Sequence, residues 1–536
     1  MLRPILAALA LLVAVLVPLP PAAATPPAAA TPPVAATPPV AATPPVAATP
    51  PAAATPPVAA TPGAGWSPCP EDPAAQCARL TLPVDWARPG GPAFDLAVAR
   101  RPATHPAARI GSLVINPGGP GNSGVDAVLR DDLRLSPELT ARFDVVGFDP
   151  RGVARSHPVL CSLPLARQAP DPLTRDQAGF DRRLAYNARY RQDCRARTGP
   201  LYDHVDSASV VRDLEALRAA LGEERLTFYG ISYGTLIGQL YAERFPGRVR
   251  ALALDSNMDH SLGTAEMLDT DTWTTQDSFD AFVSWCATAP ACVLRGRDVR
   301  ALLGDLLARA GRGELRLPDG PLTPSTLLYL TFSTFYAPDW AGLATFLRDL
   351  DAGSGAVPPL APPGPDQEVF NDVTQVICED YLLPVRDQRA FERHLRRLAA
   401  IAPDMRMSPI SVSLTVACLG QPTPIPDPQH RLRVSGTPPL LLVNGLHDPA
   451  TGYPWALSTA RQIGREARLL TYDGWGHGAY GRSPCLTGAV DRYLTTLALP
   501  APGAHCPAVP PARGLTAGPR RPAGPVPGLP GWTWRS

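Results

Sequence analysis

A serine in a glycine-flanked turn is the first residue that could do chemistry. The stretch Leu226–Thr235 reads L-T-F-Y-G-I-S-Y-G-T and places Ser232 in the pattern G-x-S-x-G. An apolar run leads into the pattern, and a helical pattern over Leu236–Arg244 follows it. On a sharp strand-to-helix turn of this kind, a serine hydroxyl is exposed for nucleophilic attack. The motif alone is not specific, because serine is also a common helix N-cap.

The chain also supplies a base and an acid for this serine. A serine hydroxyl is a weak nucleophile, so a histidine must take its proton and a carboxylate must orient that histidine. Asp448 follows the apolar run Leu440–Asn444 in N-G-L-H-D-P-A-T, and His477 lies further on in Y-D-G-W-G-H-G-A-Y. The order serine, acid, histidine is one that hydrolases use. We predict Ser232 as nucleophile, Asp448 as acid and His477 as base.

The same sequence leaves alternatives to this triad open. His447 stands next to Asp448 and is a second candidate for the base. Asp255 ends another predicted strand and is a second candidate for the acid. Asp448 also precedes a proline, and Asp-Pro commonly begins a turn, so it has a purely structural interpretation as well. These interpretations differ in which histidine and which carboxylate form the catalytic pair.

A glycine-rich loop can supply donors for the oxyanion of acyl transfer. The loop Asn116–Gly124 reads N-P-G-G-P-G-N-S-G and directly follows the apolar run Gly111–Asn116. Its glycines let the backbone approach a substrate closely. Because the oxyanion needs backbone N–H donors, we predict Tyr233 and Gly119 in this role, with Gly118 as the alternative to Gly119.

Apolar runs and helical patterns alternate along the chain and indicate the elements that hold these residues. A helical pattern with apolar residues at helical spacing covers Ser207–Leu221. Such alternation predicts an α/β fold with a mostly parallel, doubly wound sheet. The runs that read as buried strands are Gly111–Asn116, Phe143–Phe148, Leu226–Tyr229, Ala251–Leu254, Leu440–Asn444 and Ala467–Tyr472.

The middle of the chain differs in composition from the parts on either side. Helical patterns dominate residues 256–436, with proline-rich loops between them and few strand signals. We interpret this region as a helical cap inserted into a core made of residues 66–255 and 437–506. A globular part of this length is expected to divide into a main and an inserted domain.

The two ends read as non-globular. Residues 1–24 have the arginine, apolar run and small residues of a signal peptide, and residues 25–65 are a T-P-P-(A/V)-A-A repeat that predicts an extended linker. Residues 507–536, rich in proline and glycine, are predicted to be disordered. We therefore expect a secreted protein, with possible association with the cell envelope, no stable membrane anchor and a monomeric state.

Cysteine usage and charge narrow the class of protein. The 49 basic and 48 acidic residues balance, which argues against a nucleic-acid partner. No C-x-x-C or paired-histidine spacing occurs, so no metal and no other cofactor is predicted. Ten cysteines behind an export signal predict disulfides. Neighbours along the chain suggest the pairs Cys69–Cys77, Cys161–Cys194, Cys286–Cys292, Cys378–Cys418 and Cys485–Cys506.

The motifs taken together resemble a known family. The segments P-G-G-P-G-N-S-G, F-D-P-R-G-V-A-R-S, G-I-S-Y-G-T, D-P-A-T and D-G-W-G-H-G occur in this order. They are similar to those of the secreted tripeptidyl aminopeptidases of actinobacteria, relatives of the prolyl iminopeptidases with the α/β-hydrolase fold. The resemblance covers Cys69–Cys506 and implies that fold with a cap, the triad predicted above, and release of tripeptides from free N-termini. Asp149 and Arg151 match a family turn with a structural role. The sequence departs from the family at Ala154, where glycine is usual, and at His447.

An aminopeptidase needs a carboxylate to bind the ammonium group of its substrate. Glu379 and Asp380, in V-I-C-E-D-Y, are similar to a C-x-D pattern of the family and are the first candidates. Glu266, Asp269 and Asp271 are further candidates. A helix cap or an ion pair with arginine explains such acids equally well. The expected partners are peptides with a free N-terminus.

Two other functions use the same residues. A secreted carboxylesterase acting on short acyl or lipid-like esters would have an identical triad under a different cap. A binding protein with an inactive hydrolase fold is the third alternative, and the presence of the serine, the acid and the histidine argues against it.

Overall fold

The computed structural model describes residues 65–317, 320–353 and 369–511. The predicted signal peptide, the predicted linker up to residue 64 and the tail from residue 512 lie outside the described residues. Within the described ranges, no helix combines the length and apolar character needed to cross a membrane.

A ten-stranded sheet is the centre of the fold. Its order is β1-β2-β3-β5-β4-β7-β8-β12-β13-β14. Pairing is antiparallel from β1 to β5 and parallel from β5 to β14, which confirms the prediction of a mostly parallel sheet. The strands of the described residues are β1 Ser67–Pro68, β2 Gln76–Pro83, β3 Ala93–Arg101, β4 Gly111–Asn116, β5 Phe143–Phe148, β6 Leu160–Ser162, β7 Leu226–Ile231, β8 Val249–Asp255, β9 Arg316–Leu317, β10 Gly320–Pro321, β11 Val369–Asn371, β12 Leu440–His447, β13 Ala467–Trp475 and β14 His505–Cys506.

Helices cover both faces of the sheet and form a layer beyond it. The α-helices of the described residues are α1 Gly124–Leu129, α2 Pro137–Arg142, α3 Leu163–Ala166, α4 Gln177–Thr198, α5 Ser207–Ala220, α6 Tyr233–Arg244, α7 Thr264–Thr288, α8 Val299–Gly311, α9 Pro324–Ser333, α10 Trp340–Asp351, α11 Thr374–Asp380, α12 Gln388–Ile401, α13 Pro409–Ala417, α14 Tyr453–Ile463 and α15 Pro484–Thr496. The apolar periodicity of α5 buries Val210, Val211 and Leu214 against the sheet.

The direction of the chain across the sheet reverses at β4. From β4 the chain moves to β5 on one side and then crosses back to β7 on the other side of β4. Ligands of open α/β sheets bind beyond the carboxyl ends of the strands at such a reversal. The glycine loop after β4 and the Ser232 turn after β7 both lie at this edge.

A second hydrophobic core lies among the helices of the inserted region. Residues from α7, α8, α9, α10, α12 and α13 share one buried apolar cluster, whereas α11 belongs to the cluster under the sheet. Phe180 of α4 joins the helical cluster, and the Asn187 side chain donates hydrogen bonds to the carbonyl oxygens of Val416 (2.8 Å) and Leu419 (3.1 Å). The helical layer thus also includes α4, which precedes Ser232 in the chain.

All ten cysteines are paired in disulfides. The pairs in the structure are the five that sequence neighbours suggest. Cys378–Cys418 connects α11 to the end of α13, and Cys485–Cys506 connects α15 to β14. The first of these bonds lies within the inserted region and the second within the part of the chain that follows it.

Candidate active site

Ser232 lies on a strained turn between β7 and α6. Its backbone has φ 56° and ψ −123°, a conformation that residues with a Cβ adopt rarely. The Ser232 N–H donates to the Asp255 carbonyl (2.9 Å), and its carbonyl accepts from the Thr235 N–H (2.8 Å). A Cβ on Gly230 would lie 2.5 Å from the Gly234 carbonyl oxygen, so the turn requires glycine there. This geometry turns the serine side chain away from the helix that follows it.

The predicted acid and base are in direct contact. The His477 Nδ1 lies 2.9 Å and 3.1 Å from the two carboxylate oxygens of Asp448. Asp448 is fully buried and also accepts from the backbone N–H groups of Ala450 (2.9 Å) and Thr451 (3.0 Å). Burial alone would raise the pKa of this carboxyl, but the interactions with His477 and the hydrogen bonds outweigh it and lower the pKa. Because an ionised carboxylate can only accept, Nδ1 carries the proton and Nε2 is left with a lone pair.

The loop of His477 lies beside the serine turn. A Cβ on Gly478 would be 3.7 Å from the Ile231 side chain, one residue before Ser232. The His477 N–H donates to the carbonyl of Tyr336 (2.8 Å), and the two rings meet edge to face at 5.0 Å. Tyr336 lies between α9 and α10, so the inserted helices contact the imidazole directly.

The structure separates the alternatives to the predicted triad. Asp255 accepts hydrogen bonds from the N–H groups of Ala479 (2.8 Å) and Tyr480 (2.8 Å), so it anchors the loop that follows the histidine. His447 places its Nδ1 2.7 Å from the Asp277 carboxylate of α7 and stacks on Trp475. Of these two acids, Asp448 is the one in contact with the His477 ring.

The two predicted oxyanion donors come from adjacent segments. Tyr233 is the first residue of α6, where a helix leaves its N–H groups without intrahelical partners. A Cβ on Gly118 would lie 3.0 Å from the Tyr233 nitrogen, so the glycine loop packs against the serine turn. The Gly118 N–H already donates to the Asn116 side chain (2.9 Å), which favours Gly119 over Gly118 as the second donor.

Glu379 and Asp380 do not have the environment of an ammonium site. Glu379 accepts from the Val205 N–H (2.9 Å) and the Gln375 side chain (2.9 Å). Asp380 accepts from the Ser207 N–H (2.8 Å) and hydroxyl (2.6 Å) and from the Tyr233 hydroxyl. Both acids are buried, and all their carboxylate oxygens already have protein donors. The sequence-based assignment to substrate binding is therefore revised: Asp380 joins α11 to α5 and α6, and Glu379 joins α11 to the segment before α5.

The other acidic candidates lie on α7 and differ in their surroundings. Glu266 is exposed, and Asp269 forms an ion pair with Arg397 (2.7 Å). Asp271 is buried: one carboxylate oxygen accepts from the Ser408 hydroxyl (2.5 Å), and the other has no close hydrogen bond among the described residues, although the Ser411 hydroxyl and N–H act on this carboxyl and lower its pKa. Burial raises the pKa of Asp271 to about 7, and the charge of Asp448 adds to the rise. Asp271 is thus a buried acid of α7 with one oxygen that lacks a close hydrogen bond.

Arg482 is a site residue that the sequence did not indicate. Its guanidinium donates to the carbonyl oxygens of His477 (2.8 Å), Gly478 (2.5 Å) and Tyr336 (2.8 Å). It therefore fixes the histidine loop against the inserted helices. No motif surrounds Arg482, and its partners are backbone atoms, which have no sequence signature.

Comparison with known proteins extends the similarity beyond the site. A family model described as alpha/beta hydrolase fold matches residues 111–484. The chain is 32% identical over 478 residues to serine protease Hip1 of Mycobacterium tuberculosis, covering 82% of this chain and 90% of that protein. It is 30% identical over 460 residues to a tripeptidyl aminopeptidase of Streptomyces lividans, covering 81% and 84%. It is 33% identical over 472 residues to carboxylesterase B of Mycobacterium tuberculosis, covering 81% and 86%. These matches span both the sheet and the inserted helices.

Proposed function

Because this chain is a serine hydrolase that belongs to the α/β hydrolase fold family, we propose that it is an aminopeptidase that releases tripeptides from free N-termini. Ser232 attacks the scissile carbonyl carbon, and His477 Nε2 takes the hydroxyl proton. Asp448 holds the imidazole and stabilises its protonated form. The N–H groups of Tyr233 and Gly119 receive the oxyanion.

The reaction then proceeds through an acyl-enzyme that water hydrolyses. His477 gives its proton to the leaving amine, and the bond between the third and fourth residues of the substrate breaks. Water then attacks the ester on Ser232 while His477 acts as base, which releases the tripeptide acid and restores the serine. The names of two relatives, a serine protease and a tripeptidyl aminopeptidase, support a peptide substrate.

The observation that supports the aminopeptidase assignment is the buried carboxyl of Asp271, one oxygen of which lacks a close hydrogen bond. A buried carboxylate oxygen without a donor is unfavourable in the free protein, and a substrate ammonium would satisfy it. The charge of Asp448 contributes to the raised pKa of Asp271, and the charge of Asp271 contributes to the raised pKa of Tyr336, whose ring meets that of His477 at 5.0 Å. A fixed separation between an ammonium site and a nucleophile limits the number of residues released.

A carboxylesterase is the second candidate, because carboxylesterase B is a relative of similar identity. The two functions differ in how they treat the amino group of the substrate. A peptidase that binds the ammonium through Asp271 loses activity when the substrate is N-acetylated. An esterase of the same fold does not depend on that charge.

The test compares tripeptide amides with free and with acetylated N-termini, alongside a short acyl ester. We expect rapid hydrolysis of the free tripeptide amide and little hydrolysis of the acetylated one. Asp271→Asn should raise KM for the free substrate while ester hydrolysis continues. Glu266→Gln, which changes an exposed acid on the same helix, is the matched control and should behave as wild type.

Two results would overturn this assignment. Equal rates on free and acetylated peptides, with faster cleavage of the ester, would favour the esterase. Equal losses on ester and peptide in Asp271→Asn would assign Asp271 to the stability of the site. Ser232→Ala should abolish every activity and labelling by a fluorophosphonate, and retained activity would place the nucleophile elsewhere.

We also propose that the enzyme acts outside the cytoplasm. Five disulfides support an oxidising compartment. Fractionation of a culture that expresses the full chain tests this, and the enzyme is expected in the medium or the cell-envelope fraction. Enzyme confined to the cytoplasm, with its thiols reduced, would contradict the proposal.

A further inference from the structure

Three side chains from distant parts of the chain meet outside the predicted triad. His260 lies in the loop between β8 and α7, and Asp427 and His430 lie in the segment that leads to β12. One potential ligand atom of each lies within 4.8 Å of the others. The two segments are also joined by a hydrogen bond from the His430 N–H to the His260 carbonyl (3.1 Å). The cluster is therefore held by backbone as well as by side chains.

Two polar atoms in this cluster are buried without partners. His260 and Asp427 are 1% and 7% exposed. The Nδ1 of His260 and the Oδ2 of Asp427 have no hydrogen-bond partner in the part of the chain that the structure describes. Buried polar atoms nearly always have a hydrogen-bond partner, so two unsatisfied buried polar atoms in one cluster need an explanation. An imidazole nitrogen and a carboxylate oxygen are both good metal ligands.

The other nitrogen of each imidazole has a partner that fixes its tautomer. His260 Nε2 donates to the Asp380 carbonyl oxygen (2.7 Å), and His430 Nε2 donates to the Glu243 carboxylate (2.9 Å). In a neutral imidazole this leaves the lone pair on Nδ1. The Nδ1 of His430 lies at hydrogen-bond distance (3.3 Å) from the Pro428 carbonyl oxygen, so a metal ion would replace a proton there. Histidines that bind metals typically donate their second N–H to a carbonyl or carboxylate in this way.

We propose that His260 Nδ1, His430 Nδ1 and Asp427 bind a Zn²⁺ ion. Two imidazoles and one carboxylate are a common zinc ligand set, and imidazole disfavours Mg²⁺ and Ca²⁺. His430 is 40% exposed, which leaves room for water as the fourth ligand. The site includes no residue of the predicted triad. The ion would tie the loop after β8 to the segment that enters β12, whatever the substrate of the enzyme is.

The experiment uses the full chain after removal of metal with EDTA. Calorimetric titration with ZnCl₂ should show one tight site per chain, and Zn²⁺ should raise the melting temperature in a concentration-dependent manner. His430→Ala removes an exposed ligand, so folding is retained and tight binding is lost. Glu243→Gln should weaken binding by about tenfold to 100-fold, as second-sphere changes do. His105→Ala, which removes an exposed histidine elsewhere, is the control and should bind as wild type.

A spectroscopic readout makes the outcome independent of stability. Co²⁺ in place of Zn²⁺ should give visible absorption of a tetrahedral complex in wild type and in His105→Ala, and none in His430→Ala. Circular dichroism checks that each variant is folded. Absence of stoichiometric Zn²⁺ binding by wild type would overturn the proposal, as would unchanged binding by His430→Ala.

Discussion

The hydroxyl of Tyr233 donates a hydrogen bond to the buried carboxylate of Asp380. Tyr233 directly follows Ser232 and is a predicted oxyanion donor through its backbone N–H. The Tyr233 side chain is thus buried in the hydrophobic cluster that includes α11, while its backbone N–H belongs to the predicted site. Asp380, which the sequence suggests as a substrate-binding acid, is thus hydrogen-bonded to the residue that follows the predicted nucleophile.

Removing this anchor should impair catalysis more than folding. Tyr233→Phe loses a buried hydrogen bond to the Asp380 carboxyl, which destabilises the protein by about 0.5–1.5 kcal/mol. A shift of the oxyanion donor should lower kcat by about tenfold to 100-fold with little change in KM. Steady-state kinetics and urea denaturation measure both effects.

Tyr241→Phe is the matched control for that substitution. Tyr241 lies on the same helix α6, and its hydroxyl donates to Glu215 (2.7 Å). It should lose a similar amount of stability and keep its kcat. Equal losses of kcat in the two variants would mean that Tyr233 acts through helix stability alone.

Asp271 should make stability depend on pH in a specific direction. Its pKa of about 7 lies above the ordinary value of about 4, so between these values the folded state binds more protons than the unfolded state. The free energy of unfolding therefore falls as pH rises through this window. Asp271→Asn lacks this proton, so its stability relative to wild type should increase from pH 4 to pH 8, by on the order of 4 kcal/mol. A difference that is the same at all pH values would contradict the assignment.

The disulfide between α11 and α13 should stabilise the protein more than the shorter N-terminal one. Cys378 and Cys418 are 40 residues apart, and Cys69 and Cys77 are 8 apart. Loop entropy predicts losses of about 4 and about 2.5 kcal/mol for the paired serine substitutions. Thermal denaturation of the two double variants tests the order, and a larger loss for the short loop would contradict the entropic account.

The buried ion pair between Arg151 and Asp213 should matter most when one partner is removed. Both side chains are fully buried, and the guanidinium makes two hydrogen bonds to the carboxylate (2.6 and 2.7 Å). Arg151→Met leaves a buried charge and should lower the free energy of unfolding by about 3–5 kcal/mol. The double variant with Asp213→Leu should recover part of that loss in urea denaturation. No recovery would show that the carbonyl contacts of Arg151 dominate.

Strands buried on both faces were predictable from apolar runs. The bounds of β4 and β5 agree with the prediction. The strands β7 and β12 continue past their predicted ends, to Ile231 and His447. The antiparallel strands β2 and β3 gave no such signal, because β2 mixes arginine, glutamine and threonine with its apolar residues at a half-exposed edge. Periodicity detects burial and not the identity of the covering element.

The predicted site shows the same limit. Serine, acid and histidine could be proposed because each follows an apolar strand, and parallel strands bring their carboxyl ends to one edge. The positions of Glu379 and Asp380 could not be predicted in this way. An apolar helix pattern does not show which hydrophobic core the helix packs into, and α11 packs into the core that includes the sheet. His260 and Asp427 meet through folding of distant loops, a contact that spacing cannot reveal.

The placement of α4 bears on how relatives of this enzyme can be recombined. Phe180 and Asn187 fasten α4 to helices that come after the nucleophile in the chain. A chimera that exchanges residues 256–436 alone would therefore pack foreign helices against the native α4. An exchange that preserves these contacts must carry α4 together with residues 256–436, so the helical layer is encoded by two separate stretches of sequence.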